Sequence, residues 1–173
     1  MRLILTDRKA IAEGTMAFWF RPVPALTFTA GQFGDFTLTD PPRTDRKGNT
    51  RTFSLASSPS NDQIMIATRL RDSAFKESLR TIRLGTAVEF MGPMGSFTLP
   101  KDASRPAVFL TGGIGITPVR SIVEHATQAA LEHKLFVFYS NRTRATTAFL
   151  EDFQAWGPQN PNLRFIPTLT DEA

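Results

Sequence analysis

The sequence contains no cysteine. That excludes disulfides, a thiol nucleophile and any cysteine-ligated iron–sulfur cluster, since such a cluster needs about four thiolates. Histidine is nearly absent too: His125 and His133 lie eight apart in a helical pattern with no carboxylate cluster beside them, so they read as helix-surface residues and no metal site is expected. No stretch approaches the ~18 consecutive apolar residues of a membrane span. The opening Met1-Arg2-Leu3-Ile4-Leu5-Thr6-Asp7 is too short in apolar residues for a signal peptide. A cytoplasmic location is therefore expected. There are no internal repeats or low-complexity tracts. A net charge of +4 and a pI near 10.0 permit an acidic partner, but the basic residues are scattered between strand-like runs rather than gathered into a stripe with stacking aromatics, so nucleic acid is not expected.

What the sequence does have is a glycine turn. Thr111-Gly112-Gly113-Ile114-Gly115-Ile116-Thr117-Pro118 follows the apolar run Ala107-Val108-Phe109-Leu110 and opens a segment of helical spacing. A buried strand, a glycine turn and a helix N-terminus in succession form an anion cradle, because glycine lets the backbone approach a phosphate and unpaired N–H groups point at it. A nucleotide pyrophosphate is the natural ligand. Pro118 fits the first helical position and Thr117 the N-cap. Val119, Ile122, Val123 and Ala126 then recur at three- and four-residue spacing, giving one apolar face to dock on a sheet.

Residues 2–100 read as β structure, in the runs Arg2–Ile11, Met16–Arg21, Phe33–Leu38, Arg51–Ala56, Gln63–Leu70 and Ala87–Met91, separated by turn residues. Six short strands at this spacing predict an antiparallel barrel. A helical segment at Asp72–Leu79 interrupts them, with Phe75, Leu79 and Ile82 on one face. From Lys101 the pattern changes to strand Ala107–Leu110, helix Pro118–Glu132, strand Leu135–Tyr139, a helix near Thr147–Trp156 and strand Arg164–Ile166. That alternation predicts a parallel sheet. The expected division is a barrel domain over 1–100 and an α/β domain over 101–173. The second is expected to be incomplete, because a nucleotide domain usually takes ~100–150 residues.

Four motifs, in order, give this chain a family resemblance. Gly31-Gln32-Phe33, Arg51-Thr52-Phe53-Ser54 with Ser57-Ser58-Pro59, Gly92-Pro93-Met94-Gly95-Ser96-Phe97 and the glycine turn resemble the ferredoxin–NADP reductase superfamily, whose flavin signature is Arg-x-Tyr-Ser and whose nucleotide turn is Gly-Gly-x-Gly-x-x-Pro. The resemblance implies a six-stranded antiparallel Greek-key barrel that binds FAD, followed by a Rossmann-like domain that binds NAD(P)H. The implied activity is hydride transfer from NAD(P)H to FAD, with electrons passed to a separate acidic partner: a ferredoxin, a flavodoxin or an oxygenase component. Because this chain has no cysteine, the next redox centre must lie on another molecule. The family's final region, which grips the nicotinamide, has no counterpart here, so the chain reads as a truncated reductase. The alternative is a flavin-binding regulatory or interaction module without reductase activity.

The resemblance assigns roles residue by residue. In Arg51–Ser54, Arg51 can fork onto the flavin phosphates, Phe53 can stack on the ring, and Ser54 can hydrogen-bond near the flavin N5, the catalytic position; Thr52 completes the motif. Phe53 stands where the family usually has Tyr, which keeps the stacking surface and loses a hydroxyl bond. Ile66 and Thr68 would contact the flavin through backbone atoms. Ala74, Phe75 and Lys76 would hold the pyrophosphate at a helix start, which implies FAD rather than FMN, and Thr117 would lie near the ring. Gly112, Gly113 and Gly115 would receive the nicotinamide nucleotide's phosphates, with Ser140, Asn141 and Arg142 reading its ribose. No acidic residue ends that strand and arginines follow it, which leans toward the 2′-phosphate of NADPH.

Overall fold

A computed structural model describes residues 1–172. Six strands form the first sheet: β1 (Arg2–Ala12), β2 (Thr15–Val23), β3 (Phe33–Thr37), β4 (Thr50–Ser54), β5 (Ile64–Arg69) and β6 (Ala87–Met94). Their spatial order is β4-β3-β6-β1-β2-β5, and all neighbours are antiparallel. The sheet curls so that its two ends meet, where the Ala56 N–H donates to Met65 O at 2.7 Å. Inward positions alternate along each strand, as the two-residue period of a strand requires: Leu3 and Leu5 of β1, Phe18 and Phe20 of β2, Phe36 of β3, Val88 and Phe90 of β6 are all buried in one cluster. The helix α1 (Ala74–Thr81) closes the open mouth by inserting Phe75 and Leu79 into that cluster.

The second sheet is parallel, with β7 (Ala107–Gly112), β8 (Leu135–Asn141) and β9 (Leu163–Leu169) in sequence order. The helices α2 (Ile116–Gln128) and α3 (Leu150–Gln159) cover one face. Their apolar residues share a second core with Leu135, Val137 and Tyr139. That core does not stop at the parallel sheet: Ala17, Met65 and Ala67 from the outer face of β2 and β5 belong to it. The two regions are therefore fused through packed side chains. The opposite face of the parallel sheet is uncovered by the described residues, where register aligns Leu110, Phe138 and Ile166 in a row and Leu110 is 79% exposed.

Three expectations about helices change. The helix start expected at Pro118 lies at Ile116, because Gly113–Gly115 forms a 3-10 turn that runs directly into α2. Thr117 is consequently inside the helix, and its hydroxyl donates back to Ile114 O at 3.1 Å instead of capping. His133 is not a helix-surface residue: α2 ends at Gln128, and the ring is buried with Nε2 2.8 Å from Pro100 O. The third helix also starts later than expected, at Leu150, after a 3-10 turn at Arg144–Thr146 closed by a Thr143/Thr146 capping box.

Candidate functional site

The strand alternation of β4 divides the Arg51–Ser54 motif. Arg51 and Phe53 face α1, where the Arg51 guanidinium lies 5.4 Å from the centre of the Phe75 ring and Phe53 packs against Phe36 and Phe75. Thr52 points the other way and its hydroxyl donates to Asp35 of β3. Arg51 is not idle: Nη1 donates to Lys47 O, Gly48 O and Thr50 O at 2.7–2.9 Å, and Nη2 pairs with Asp45 at 3.2 Å. Asp45 in turn accepts from the Ala74 N–H at 3.1 Å. One carboxylate thus sits where the helix N-terminus and an arginine converge, which is the arrangement an anion favours. The hydrogen bond from the Lys47 N–H is the main influence holding the Asp45 carboxyl below its ordinary pKa.

Beside this contact lies a cavity of about 620 Å³ lined by Arg46, Lys47, Arg51, Arg71 and Lys76, with Asp45, Asp72 and Ser73. Burial, followed by the charges of Arg71 and Arg51, lowers the Lys76 pKa. Its ammonium donates to Arg69 O at 2.7 Å. Of the N–H groups at the start of α1, that of Ala74 is held by Asp45 and that of Lys76 faces Ser73 Oγ at 3.5 Å. The Phe75 side chain is buried in the barrel, so only its backbone is available to a ligand.

Along β5 the backbone polar groups divide between two sides. Both backbone groups of Met65 are used on the side away from β2, by Ser57 Oγ and Ala56 N. Since N–H and C=O of one residue point to the same side of a strand and alternate residue by residue, Ile66 and Thr68 direct theirs into the ladder with Phe18 and Met16. The edge away from β2 belongs to Ala67 and Arg69, and since the Arg69 C=O accepts from Lys76, Ala67 holds the free backbone there.

At the glycine turn, Gly113 has φ +52, and a Cβ there would lie 2.6 Å from the Arg69 guanidinium. Arg69, at the end of β5, therefore covers the turn from the barrel side. No local pattern marks it; its role depends on two segments 44 positions apart meeting. Gly112 ends β7 and Gly115 caps α2. The Tyr139 hydroxyl lies 3.0 Å from Gly113 O and 3.1 Å from Ala148 O, either of which can accept its proton, and burial pushes its pKa up to about 12. Ser140 and Arg142 are exposed at the end of β8, whereas Asn141 between them is 6% exposed and neither polar atom of its carboxamide has a protein partner. A buried amide without partners costs roughly 1–3 kcal/mol, and the neighbouring polar group is the Tyr139 hydroxyl.

The motifs also meet one another. The Gln32 side chain donates to Gly95 O at 3.2 Å, and a side chain at Gly31, whose φ is +97, would strike Phe97 O and Ile122 of α2. The first and third motifs thus form one wall at the junction of barrel and parallel sheet. Among the described residues no group of three metal-ligating side chains occurs, and no helix is long and apolar enough to cross a membrane.

Comparison with known proteins agrees with this geometry. Residues 109–173 match the family described as oxidoreductase NAD-binding domain. The chain is 30% identical over 168 residues to the reductase component DmpP of phenol 2-monooxygenase from Pseudomonas sp. (strain CF600), covering 95% of this chain and 45% of that protein. Among solved structures it resembles the Amycolatopsis cytochrome P450 reductase GcoB (TM-score 0.81, 23% identity, 98% of this chain and 52% of that one). It also resembles ferredoxin-NADP+ reductase from Plasmodium falciparum (TM-score 0.82, 14% identity, 99% and 71%). Residues 109–173 thus carry an oxidoreductase NAD-binding domain, and the chain has the fold of the ferredoxin–NADP reductases, a barrel followed by a parallel sheet with helices. It spans less than half the length of the curated relative it matches over nearly its whole length.

Proposed function

We propose that the chain is the flavin and nicotinamide-nucleotide portion of an FAD-dependent NAD(P)H oxidoreductase that passes electrons to a separate acidic protein, such as a ferredoxin, a flavodoxin or an oxygenase component. The observation that carries the reading is the cavity at the start of α1, where five basic side chains surround a helix N-terminus on which a carboxylate already sits. Such a cradle suits a pyrophosphate. Arg51 and Lys76 would hold the FAD phosphates, the Phe75 and Ala74 backbone would complete the cradle, and Asp45 would yield its share of these donors. Ala67 would offer its backbone and Ser54 its hydroxyl to the ring. The bound flavin would supply the hydride chemistry.

Gly112, Gly113 and Gly115 would take the phosphates of NAD(P)H under Arg69, and Ser140, Asn141 and Arg142 at the end of β8 would read its ribose. The exposed Arg142 favours a 2′-phosphate, hence NADPH over NADH. We place the protein in the cytoplasm. The test is a visible-absorbance titration of the purified protein with FAD, then with NADH and NADPH separately. A yellow complex bleached faster by NADPH is expected, and protein that stays colourless with excess FAD would refute the reading.

A further inference from the structure

Between the two sites lies a buried polar cluster to which neither site lays claim. Arg120 and Glu124, one helical turn apart on α2, are each 9% exposed, and Ser121 between them is fully buried. All three reach across to the segment that directly follows the flavin motif. Arg120 Nη1 donates to Ala56 O at 2.8 Å, Ser121 Oγ donates to Ser57 O at 2.6 Å, and the Ser58 N–H donates to Glu124 Oε2 at 2.7 Å. Three consecutive residues of the barrel are thus gripped by three side chains of one helix.

The grip is itself braced. Arg120 Nη1 also bonds Glu124 Oε2 at 2.9 Å, and its Nε and Nη2 hold Asp152 of α3 at 2.8 and 2.7 Å. The guanidinium lies 4.9 and 5.2 Å from the ring centres of Phe149 and Trp156. All three nitrogens of the planar fork are used, and a lysine could not reproduce it. Ser57 locks the other side, its hydroxyl accepting from the Met65 N–H at 2.9 Å.

The position of the clamp in the chain gives it meaning. Ala56 stands two residues after Ser54, and Arg120 three residues after Thr117. Both lever arms are short and lie in or against regular structure, so the clamp transmits the placement of the flavin motif to the glycine turn almost without play. Hydride transfer requires two cofactors, held by different regions, to approach within a few tenths of an ångström of a productive geometry, and a misplacement of about 1 Å can cost on the order of 100-fold.

We propose that Arg120, Ser121 and Glu124 are positioning residues, which set the separation between the flavin and nicotinamide sites and hence the rate of hydride transfer without binding either cofactor. This rests on the proposed function. The test compares wild type with Arg120→Lys, Arg120→Gln and Ser121→Ala, each loaded with FAD and mixed with saturating NADPH in a stopped-flow spectrometer. Expected is an FAD Kd within about twofold of wild type, an NADPH Kd within about threefold, and bleaching slowed roughly ten- to 100-fold in Arg120→Gln and less in the other two. A purely structural role would lower the unfolding midpoint yet leave the bleaching rate per bound flavin unchanged, and that result in the folded variants would overturn the proposal. So would a parallel loss of FAD affinity and rate. If Arg120→Gln does not fold, Ser121→Ala carries the same decision, since it removes one bond and leaves the ion pairs. Wild-type protein that binds no FAD would overturn the functional reading and this role together, whereas a normal wild type beside unaffected variants would overturn the clamp alone.

Discussion

The barrel and the parallel sheet solve the same packing problem to different degrees. The antiparallel sheet closes on itself and needs only α1 as a lid, so Leu3, Leu5, Phe18, Phe20 and Phe36 reach zero exposure. The parallel sheet has α2 and α3 on one face and none of the described residues packed over the other, with Val108 58%, Leu110 79% and Phe138 41% exposed. Parallel strands are ordinarily covered on both faces. The lesson is that a closed sheet completes its core with its own inward residues, whereas an open one depends on what is laid over it. The chemistry proposed here sits at the seam, where outer barrel residues serve the second core.

The largest expected effect breaks the closed side of that comparison. Phe36 touches Phe20, Phe53 and Phe90 at ring-centre distances of 5.1–5.7 Å, and Phe36→Ala should cost about 3–5 kcal/mol of stability in urea unfolding. Next in size is Arg51→Ala, which removes charge-assisted bonds worth roughly 1.5–3 kcal/mol. FAD affinity should fall about ten- to 100-fold, with Arg51→Lys recovering only part because a point charge cannot replace the fork. Isothermal titration of FAD measures both.

Gly113→Val separates the two sites. It forces a β-branched side chain into the left-handed region, at about 1–2 kcal/mol, and drives it into Arg69. Flavin binding should persist while bleaching by NADPH slows about tenfold or more; equal loss of flavin here and in Arg51→Ala would show that the two sites are not separable. Leu110→Ser tests the open face: stability should shift by no more than about 0.5 kcal/mol, and light scattering at high concentration should decrease because an exposed apolar row is interrupted.

The smallest effect concerns acid. The folded Asp45 pKa is lowered, so the folded chain binds that proton less readily than the unfolded chain does. Stability from this group is present above the unfolded carboxylate value and is lost as pH falls through the lowered folded value. An NMR titration of its carboxyl should find a midpoint below the ordinary ~3.9.

How much of this was legible depended on how local the signal was. The strand runs from Arg2 to Met91 and from Ala107 to Ile166 appear within a few residues of where period-two alternation and turn residues put them. The helix that begins near Asp72 was legible from its polar start and its Phe75/Leu79 face. The glycine turn was legible because only a strand, a turn and a helix fit that order. Its details were not: whether Thr117 caps or lies inside the helix was decided by the 3-10 turn before it.

The sequence by itself determined the strand and helix runs and their order, because turn chemistry and hydrophobic period act over fewer than about ten residues. Tertiary structure alone decided which charges are buried and which backbone edges are free. Arg69 looks like any strand-end arginine until Gly113 lies against it. Arg120 and Glu124 look like a solvated ion pair on a helix until Ala56 and Ser58, more than 60 residues away, take them out of water. Desolvation belongs to the surroundings a folded chain builds around a group, and no stretch of sequence contains those surroundings.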